Sequence, residues 1–349
     1  LQTGNGTAFV SSVSIKDVAR IAGVSIATVS RCVNTPERVK AKTRKIVQDA
    51  IKQTGYSPNT LAQSFRRGKT HVIMVVLPSV GDPFFTGVMQ GIRQIATKNN
   101  YSLLINETQF NTMTADEIGA MVVSRQADGI VLLASMSPFG TEVLSERNQR
   151  ALPIVVGCET ISADLEGYPS VHIDNVAAAT EATDHLILLG HKKIAFMYGQ
   201  PDSLLTRDRE NGYRATMQKA GLKVLDGWVV AGNLSIEGAA KATTDLLNHE
   251  QKPTAIFCAN DEMAIGCMHT IQQTGLNVPA DISVIGFDDT RYAAVTQPGL
   301  TTIRQPAEEI GICVMQRLLH EIEHGRSKMS EPELLPHQLI VRESTAKPA

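Results

Sequence analysis

Ser14-Ile15-Lys16-Asp17-Val18-Ala19-Arg20-Ile21-Ala22-Gly23-Val24-Ser25-Ile26-Ala27-Thr28-Val29-Ser30-Arg31-Cys32-Val33-Asn34 is the stretch that decides the reading. Ile15, Val18, Ala19 and Ala22 follow the i, i+3, i+4, i+7 spacing of a short amphipathic helix, leaving Lys16, Asp17 and Arg20 to water. Gly23 supplies a tight turn, and Ser25 is placed to cap a second helix. That helix buries Val29 and Val33 and turns Ile26, Ala27, Ser30 and Arg31 outward, an arrangement suited to entering the major groove of DNA by its N-terminal end. A third amphipathic helix, about Ala41 to Thr54, is expected to cover the pair through Ile46, Val47, Ala50 and Ile51.

Charge marks off the same segment. From Leu1 to His71 twelve Lys or Arg stand against three Asp or Glu, a net of +9, while the remainder carries 21 against 32, a net of −11. A near-neutral total therefore conceals a basic head on an acidic body, the electrostatic footprint of a nucleic-acid-binding module joined to something else.

The other 280 or so residues read as α/β, long enough for more than one core. Near-continuous apolar runs at 72–77, 102–105, 129–133 and 154–156 alternate with amphipathic stretches such as 83–98. A second series follows from Asp174: helix 177–189, strand 193–197, helix 207–220, strand 255–258, helix 263–274 and strand 283–287. Such runs imply parallel sheets covered on both faces, in two tandem lobes. Ligands of open α/β sheets bind outside the carboxyl ends of the strands, so the loops after Leu77, Ile105, Val156, Met197, Cys258 and Phe287 are the candidates. Phe84 or Phe85 there offers a ring that stacks on a base or sugar, or else fills the lobe core.

The run Ile15 to Asn34, followed by Gly55-Tyr56-Ser57-Pro58-Asn59 and Leu61-Ala62-Gln63-Ser64-Phe65, resembles the headpiece and hinge of the LacI/GalR family of bacterial transcriptional repressors. Asp82-Pro83-Phe84-Phe85, Asp128-Gly129-Ile130, His172-Ile173-Asp174-Asn175, Gly190-His191-Lys192-Lys193-Ile194, Asn260-Asp261-Glu262-Met263-Ala264, Val284-Ile285-Gly286-Phe287-Asp288-Asp289 and Leu300-Thr301-Thr302-Ile303 continue that family's order. Within it, Asp82 to Phe85, Glu159 and Val171 to Asn175 resemble the cytidine-responsive branch that governs nucleoside catabolism.

The resemblance implies an all-α helix-turn-helix headpiece plus an α/β bilobed, periplasmic-binding-protein-like core of two doubly wound parallel sheets. A leader over 1–13 is expected to be disordered, with the headpiece at 14–58, a hinge at 59–70 and the core at 71–349. The first lobe takes about 71–174 and 305–332, and the second about 175–304 and 333–349, with crossings near Asp174, Arg304 and Leu335. DNA contacts are expected from Lys16, Ser25, Ile26, Ala27, Thr28, Ser30, Arg31, Asn34 and Tyr56, and in the hinge from Asn59, Leu61, Ala62, Ser64, Phe65 and Arg66. Phe65 stands where the family places an intercalating wedge, more often a Leu.

For the effector, Arg209 and Asp288 match the family's ligand-binding arginine and acid and are expected to grip one molecule from opposite sides; for Arg209 a surface salt bridge is the plainer reading. Asp82, Phe84, Phe85 and Glu159 are placed with them, while Asp174, Asn260 and Asp261 either join the site or only cap helices. Ser203, Leu205 and Leu234 replace the Arg, Thr and Phe of purine-binding relatives, which speaks against a free purine base. Expected partners are a pseudo-palindromic operator, a nucleoside, sugar or sugar acid, and a second copy of the chain as a dimer or tetramer. No membrane, cofactor or metal is expected, and the protein is read as cytoplasmic.

Other classes fit poorly. The sequence holds no glycine-rich phosphate loop, zinc spacing or nucleophile elbow. Its five scattered cysteines form no C-x-x-C and read as reduced, small apolar residues. A transporter's solute-binding protein would have no use for a basic helix-turn-helix.

Overall fold

The computed structural model describes residues 13–56, 69–108, 121, 124, 126–134, 153–159, 165–201, 203–325 and 331–349. The chain divides into two compact units, Leu1–Thr70 and His71–Ala349. In the first, α1 (Ile15–Ala22), α2 (Ile26–Asn34), a short 3₁₀ turn (Pro36–Arg38) and α3 (Ala41–Thr54) follow one another. The Asp17 carboxylate accepts from Ser14 N and Oγ at 3.1 and 2.7 Å, starting α1. Gly23, at φ 64°, ends it in the left-handed conformation that glycine adopts without penalty. Ser25 Oγ then accepts from Thr28 N at 3.2 Å, capping α2.

Val18, Ala19, Val29, Cys32, Val47 and Ala50 form the headpiece core, with Ile15, Ala22, Val33 and Ile51 packed around it. Burying a valine such as Val29 stabilises by roughly 1.5–3 kcal/mol, much of the stability of so small a unit. Ile46 departs from expectation. It remains 44 % exposed, because it lies one residue, a 100° rotation, off the Val47–Ala50–Ile51 stripe. The expected leader up to Ser12 and the hinge positions Asn59, Leu61, Ala62, Ser64, Phe65 and Arg66 lie outside the described residues, as does the side chain of Asn34.

The second unit begins with β1 (Val72–Leu77), α4 (Pro83–Lys98), β2 (Ser102–Glu107), β3 (Gly129–Leu132), β4 (Ile154–Gly157) and β5 (Ser170–Ile173). It continues with α5 (Asn175–Leu188), β6 (Ile194–Tyr198), α6 (Leu204–Lys219), β7 (Val229–Ala231), α7 (Ile236–Asn248), β8 (Ala255–Cys258), α8 (Asp261–Gln273), β9 (Ser283–Asp288) and β10 (Thr301–Arg304). Last come α9 (Ala307–His324), β11 (Glu333–Leu335) and β12 (Gln338–Ile340). Two sheets result, ordered β11-β5-β4-β3-β1-β2 and β12-β10-β9-β8-β6-β7. Every pairing is parallel except β10 with β12, at an edge. The chain thus leaves the first sheet after Ile173, returns after Arg304 and crosses again between Leu335 and Gln338.

Strands buried on both faces account for the unbroken apolar runs: β3, β4, β8 and β9 contain no exposed residue. The C-terminal segment is laced onto the second sheet. Ser344 Oγ donates to Val284 O at 2.6 Å and accepts from Thr301 N at 2.8 Å, while His191 Nε2 lies 2.8 Å from Ala346 O.

Where α9 comes back to the first sheet it packs on α4 with two backbones in contact. A Cβ at Gly91 would run into the Glu308 carbonyl, and one at Gly311 into that of Val88. Backbone cannot swing aside as a flexible side chain does, so Gly311→Ala should force the helices apart and destabilise the protein by about 1–3 kcal/mol. Urea unfolding should show a lower midpoint with little change in slope; an unchanged midpoint would mean that the helices separate at no cost.

Candidate functional site

Two surfaces carry chemistry, one on each unit. On the headpiece, Ile26, Ala27 and Arg31 are exposed along α2, and Lys16 is exposed on α1. Ser25 and Thr28 bond each other through their hydroxyls at 2.9 Å, and Ser30 is half-buried. Tyr56 packs against the headpiece core, so its ring is spent at least partly on folding. Small and flat at Ala27, cationic at Arg31, and with the positive end of a helix dipole leading, this face matches the groove of a polyanion.

On the body, the carboxyl ends of the strands bring together residues from both sheets. Arg209, on the second turn of α6, is 2 % exposed. Its Nε donates to Asn175 Oδ1 at 3.0 Å, one terminal nitrogen donates to the Ala259 carbonyl, and the other stands 4.0 Å from Asp288 Oδ1. The guanidinium carbon lies 3.5 Å from the centre of the Phe287 ring, a cation–π contact. Burial pulls its pKa down to about 10 against the charges of Asp288, Glu159, Asp82 and Asp261, which hold it up. Burial raises Asp288 well above the usual carboxylate range despite Arg209, and Gln305 Nε2 donates to its Oδ1 at 2.7 Å.

Arg209 and Asp288 therefore do not approach from opposite sides. Both lie on the second lobe and face one another, because β6 and β9 flank β8 in the same sheet. The groups from the first lobe are Asp82 and Glu159, both close enough for their charge to act on Arg209. Asp82 also caps α4, accepting from Phe84 N at 2.8 Å, and burial raises its pKa.

Other expected residues have capping or packing partners within the fold. Phe84 and Phe85 are buried and pack into the first lobe's core, ring centroids 5.3 Å apart in an edge-on pair. Asp174 caps α5 through Ala177 N, and Asn260 caps α8 through Met263 N, each at 2.9 Å. Asp261 is wholly buried and ties strand to loop, accepting from Thr302 Oγ1 at 2.6 Å and Thr290 N at 2.7 Å. Ser203 caps α6 through Thr206 N, Leu205 is half-buried, and Leu234, at φ 54°, packs against the second lobe's core.

Sequence reasoning did not assign Asn175 and Gln305 to the site, although they flank the pair. Their remaining amide atoms, Asn175 Nδ2 and Gln305 Oε1, are buried with no hydrogen-bond partner among the described residues. Asn175 ends the quoted motif His172 to Asn175, where a second polar residue after Asp174 was the available signal. Backbone strain gathers at the same strand ends, with left-handed φ of 72° at Cys158, 111° at Asp288 and 53° at Asp289. Among the described residues no cluster of His, Cys, Asp and Glu is placed to hold a metal ion, and no helix is long and apolar enough to cross a membrane.

A groove-shaped helix-turn-helix joined to a bilobed body with a polar cleft defines a DNA-binding regulator. Residues 14–59 match the family model "Bacterial regulatory proteins, lacI family", and residues 183–345 match "Periplasmic binding protein-like domain". The chain is 36 % identical over 332 residues to the HTH-type transcriptional repressor CytR of Escherichia coli, covering 95 % of this chain and 96 % of that one. It is also 36 % identical over 335 residues to catabolite control protein A of Priestia megaterium, covering 96 % and 99 %. The crystal structure of the Lac repressor dimer bound to operator and the anti-inducer ONPF superposes with a TM-score of 0.83 at 28 % identity, covering 96 % of this chain and 99 % of that one. The chain belongs to the LacI family of transcriptional regulators.

Asp261 gives the body a signed pH dependence. Burial raises its pKa from 3.8 to about 7, so the folded protein holds a proton that the unfolded chain has released. Its contribution is then full below pH 3.8 and is lost as pH rises through 7. Asp261→Asn should fall off less than the wild type between pH 5 and 8, whatever its overall offset, in melts followed by circular dichroism. Parallel curves would show that Asp261 does not titrate in that window.

Proposed function

We propose that this regulator binds a two-fold-related operator as a homodimer and leaves it when a small polyhydroxylated molecule, a nucleoside or a sugar, enters the cleft. The observation that carries this reading is the Arg209–Asp288 pair with its two unpartnered neighbours, Asn175 Nδ2 and Gln305 Oε1. Hydroxyls both donate and accept, so a vicinal diol answers a buried donor and a buried acceptor together. The operator-bound dimer of the Lac repressor supports the homodimer and the DNA target. Ligand bound in the cleft of the body is read as weakening the hold of the dimer on its operator. The protein turns over no substrate and needs no cofactor, and it works in the cytoplasm with the DNA.

Arg31→Ala should relax preference at one base pair per half-site at a cost of about 1–3 kcal/mol, if Arg31 makes a bidentate guanine contact. Uniform weakening across operator variants in gel-shift titrations would make it a phosphate contact instead. Affinity should also drop steeply with salt as exposed cations such as Lys16 and Lys42 release counterions.

Arg209→Ala and Asp288→Ala should each keep operator binding yet lose the response to the ligand, at a cost of about 1.5–3 kcal/mol in ligand affinity, tenfold or more. By linkage, operator must weaken ligand binding by the factor by which ligand weakens operator. Calorimetric titration of ligand into free and operator-bound protein measures that factor. Tighter binding in the presence of operator would make the ligand a corepressor.

A further inference from the structure

We propose that the second lobe carries a small-molecule site of its own, apart from the cleft: a pocket between α6 and β7 that takes a compact organic anion, a carboxylate or phosphate ester on a short apolar body, with Arg207 and Arg214 as its anion-binding residues. It is independent of the effector reading above, because Arg209, Asp288, Asn175 and Gln305 line no part of it.

The pocket encloses 480 Å³, within the roughly 300–1,000 Å³ of small-molecule sites. Its lining runs from Tyr198, at the end of β6, to Val229, at the start of β7, and belongs to one lobe throughout. One wall is a face of α6, where Arg207, Glu210 and Arg214 follow at i, i+3 and i+7. Arg209 stands two positions from Arg207, roughly 200° round the helix. One arginine is therefore exposed to the pocket while the other is buried beneath the cleft.

The opposite wall is apolar and held in place. Tyr198, Val224, Leu225 and Val229 are half-buried against the second lobe's core, so part of each remains for the pocket. The turn between Leu225 and Val229 is closed by Trp228 N, which donates to Leu225 O at 3.1 Å. It is pinned from outside as well: His249 Nε2 lies 3.1 Å from Asp226 O, and Trp228 Nε1 donates to Gln251 O at 3.0 Å. Walls fixed by the fold leave a ligand little ordering to do.

Free donors decide the ligand class. Arg214 Nε donates to Glu210 Oε1 at 2.6 Å, so Glu210 is matched within the wall while both terminal nitrogens of Arg214 stay uncommitted. The Arg207 side chain and the Tyr198 hydroxyl have no hydrogen-bond or ion-pair partner among the described residues. Asp226, exposed on the turn, is the one carboxylate of the lining outside the Arg214 pair. The pocket thus presents two guanidinium edges and a phenol beside an apolar floor, and the planar fork of a guanidinium fits a carboxylate or phosphate edge. A cation would have Asp226 for it and both arginines against it. A polyhydroxylated molecule would leave the surface of Val224, Leu225 and Val229 unused.

The test is calorimetry on the full chain with benzoate and phenyl phosphate, which carry the two heads on one apolar ring, and with benzyl alcohol as the uncharged counterpart. At least one anion should bind one to one and at least tenfold more tightly than benzyl alcohol, and the tighter of the two identifies the head. Arg207→Gln/Arg214→Gln should lose at least tenfold in that affinity, while Asp226→Asn should gain. Asp82→Asn, altered only in the cleft, should bind the anion as the wild type does. Anion binding that survives the double variant, as binding on the basic headpiece would, overturns the proposal. So does a tenfold change in Asp82→Asn, or the failure of both anions to give heat or raise the melting temperature. Should the double variant not melt cooperatively, Arg207→Gln alone is held to the same outcomes.

Discussion

A guanidinium taken out of water costs several kcal/mol unless its charge and donors are met by the fold. Arg209 draws on three separate segments to meet that demand: Asn175 at the start of α5, the Ala259 carbonyl after β8, and β9 with the Phe287 ring and Asp288 at its end. These contacts cannot form until the second sheet has its order β9-β8-β6, so the arginine doubles as a lock on the topology. It also fixes where the cleft can be, because the strand ends it bridges are those that face the first lobe's Asp82 and Glu159.

The same turn that presents Asp288 anchors the chain where it crosses between lobes. Asp289 accepts from Arg304 Nε and from a terminal nitrogen of Arg342, both at 2.6 Å. Arg304 is the last residue of β10 before the chain returns to the first lobe, and Arg342 lies just beyond β12, after the final crossing. The left-handed φ at both Asp288 and Asp289 is strain that these ion pairs hold in place. The carboxyl that faces Arg209 and the anchor of two crossing segments are thus consecutive residues, so a change at one strand end bears directly on the crossings.

Much of the architecture was legible because it is written in periodicity. α1, α3, β1, α4 and β8 have the limits that their apolar spacing implies, and Gly23 and Ser25 act as the turn and cap that the residue types suggest. What spacing left open or misplaced shares a physical cause. Ile46 carries the right residue type but sits off the buried stripe, a rotation that spacing alone leaves ambiguous near a helix edge. Phe84 and Phe85 have rings fit to stack on a ligand, yet their depth is decided by what α4 packs against, which lies hundreds of residues away at α9. Asp261 follows a β-strand, as a ligand-binding acid should, but its partners are Thr302 and Thr290, close only after folding. Opposed placement of Arg209 and Asp288 failed for the same reason: which strands neighbour one another is a property of the sheet order.

Asn175 and Gln305 show what such a site gains from incomplete satisfaction. A buried polar group without a partner costs about 1–3 kcal/mol, and a fold tolerates that cost where something else is to fill the position. Each amide has one end already fixed by a charged group, Asn175 Oδ1 by Arg209 and Gln305 Nε2 by Asp288. Neither can therefore turn to satisfy its free end without abandoning the stronger bond. One free end donates and the other accepts, one on the amide bonded to Arg209 and the other on the amide bonded to Asp288. A ligand that completes both recovers the desolvation cost of two buried groups at once.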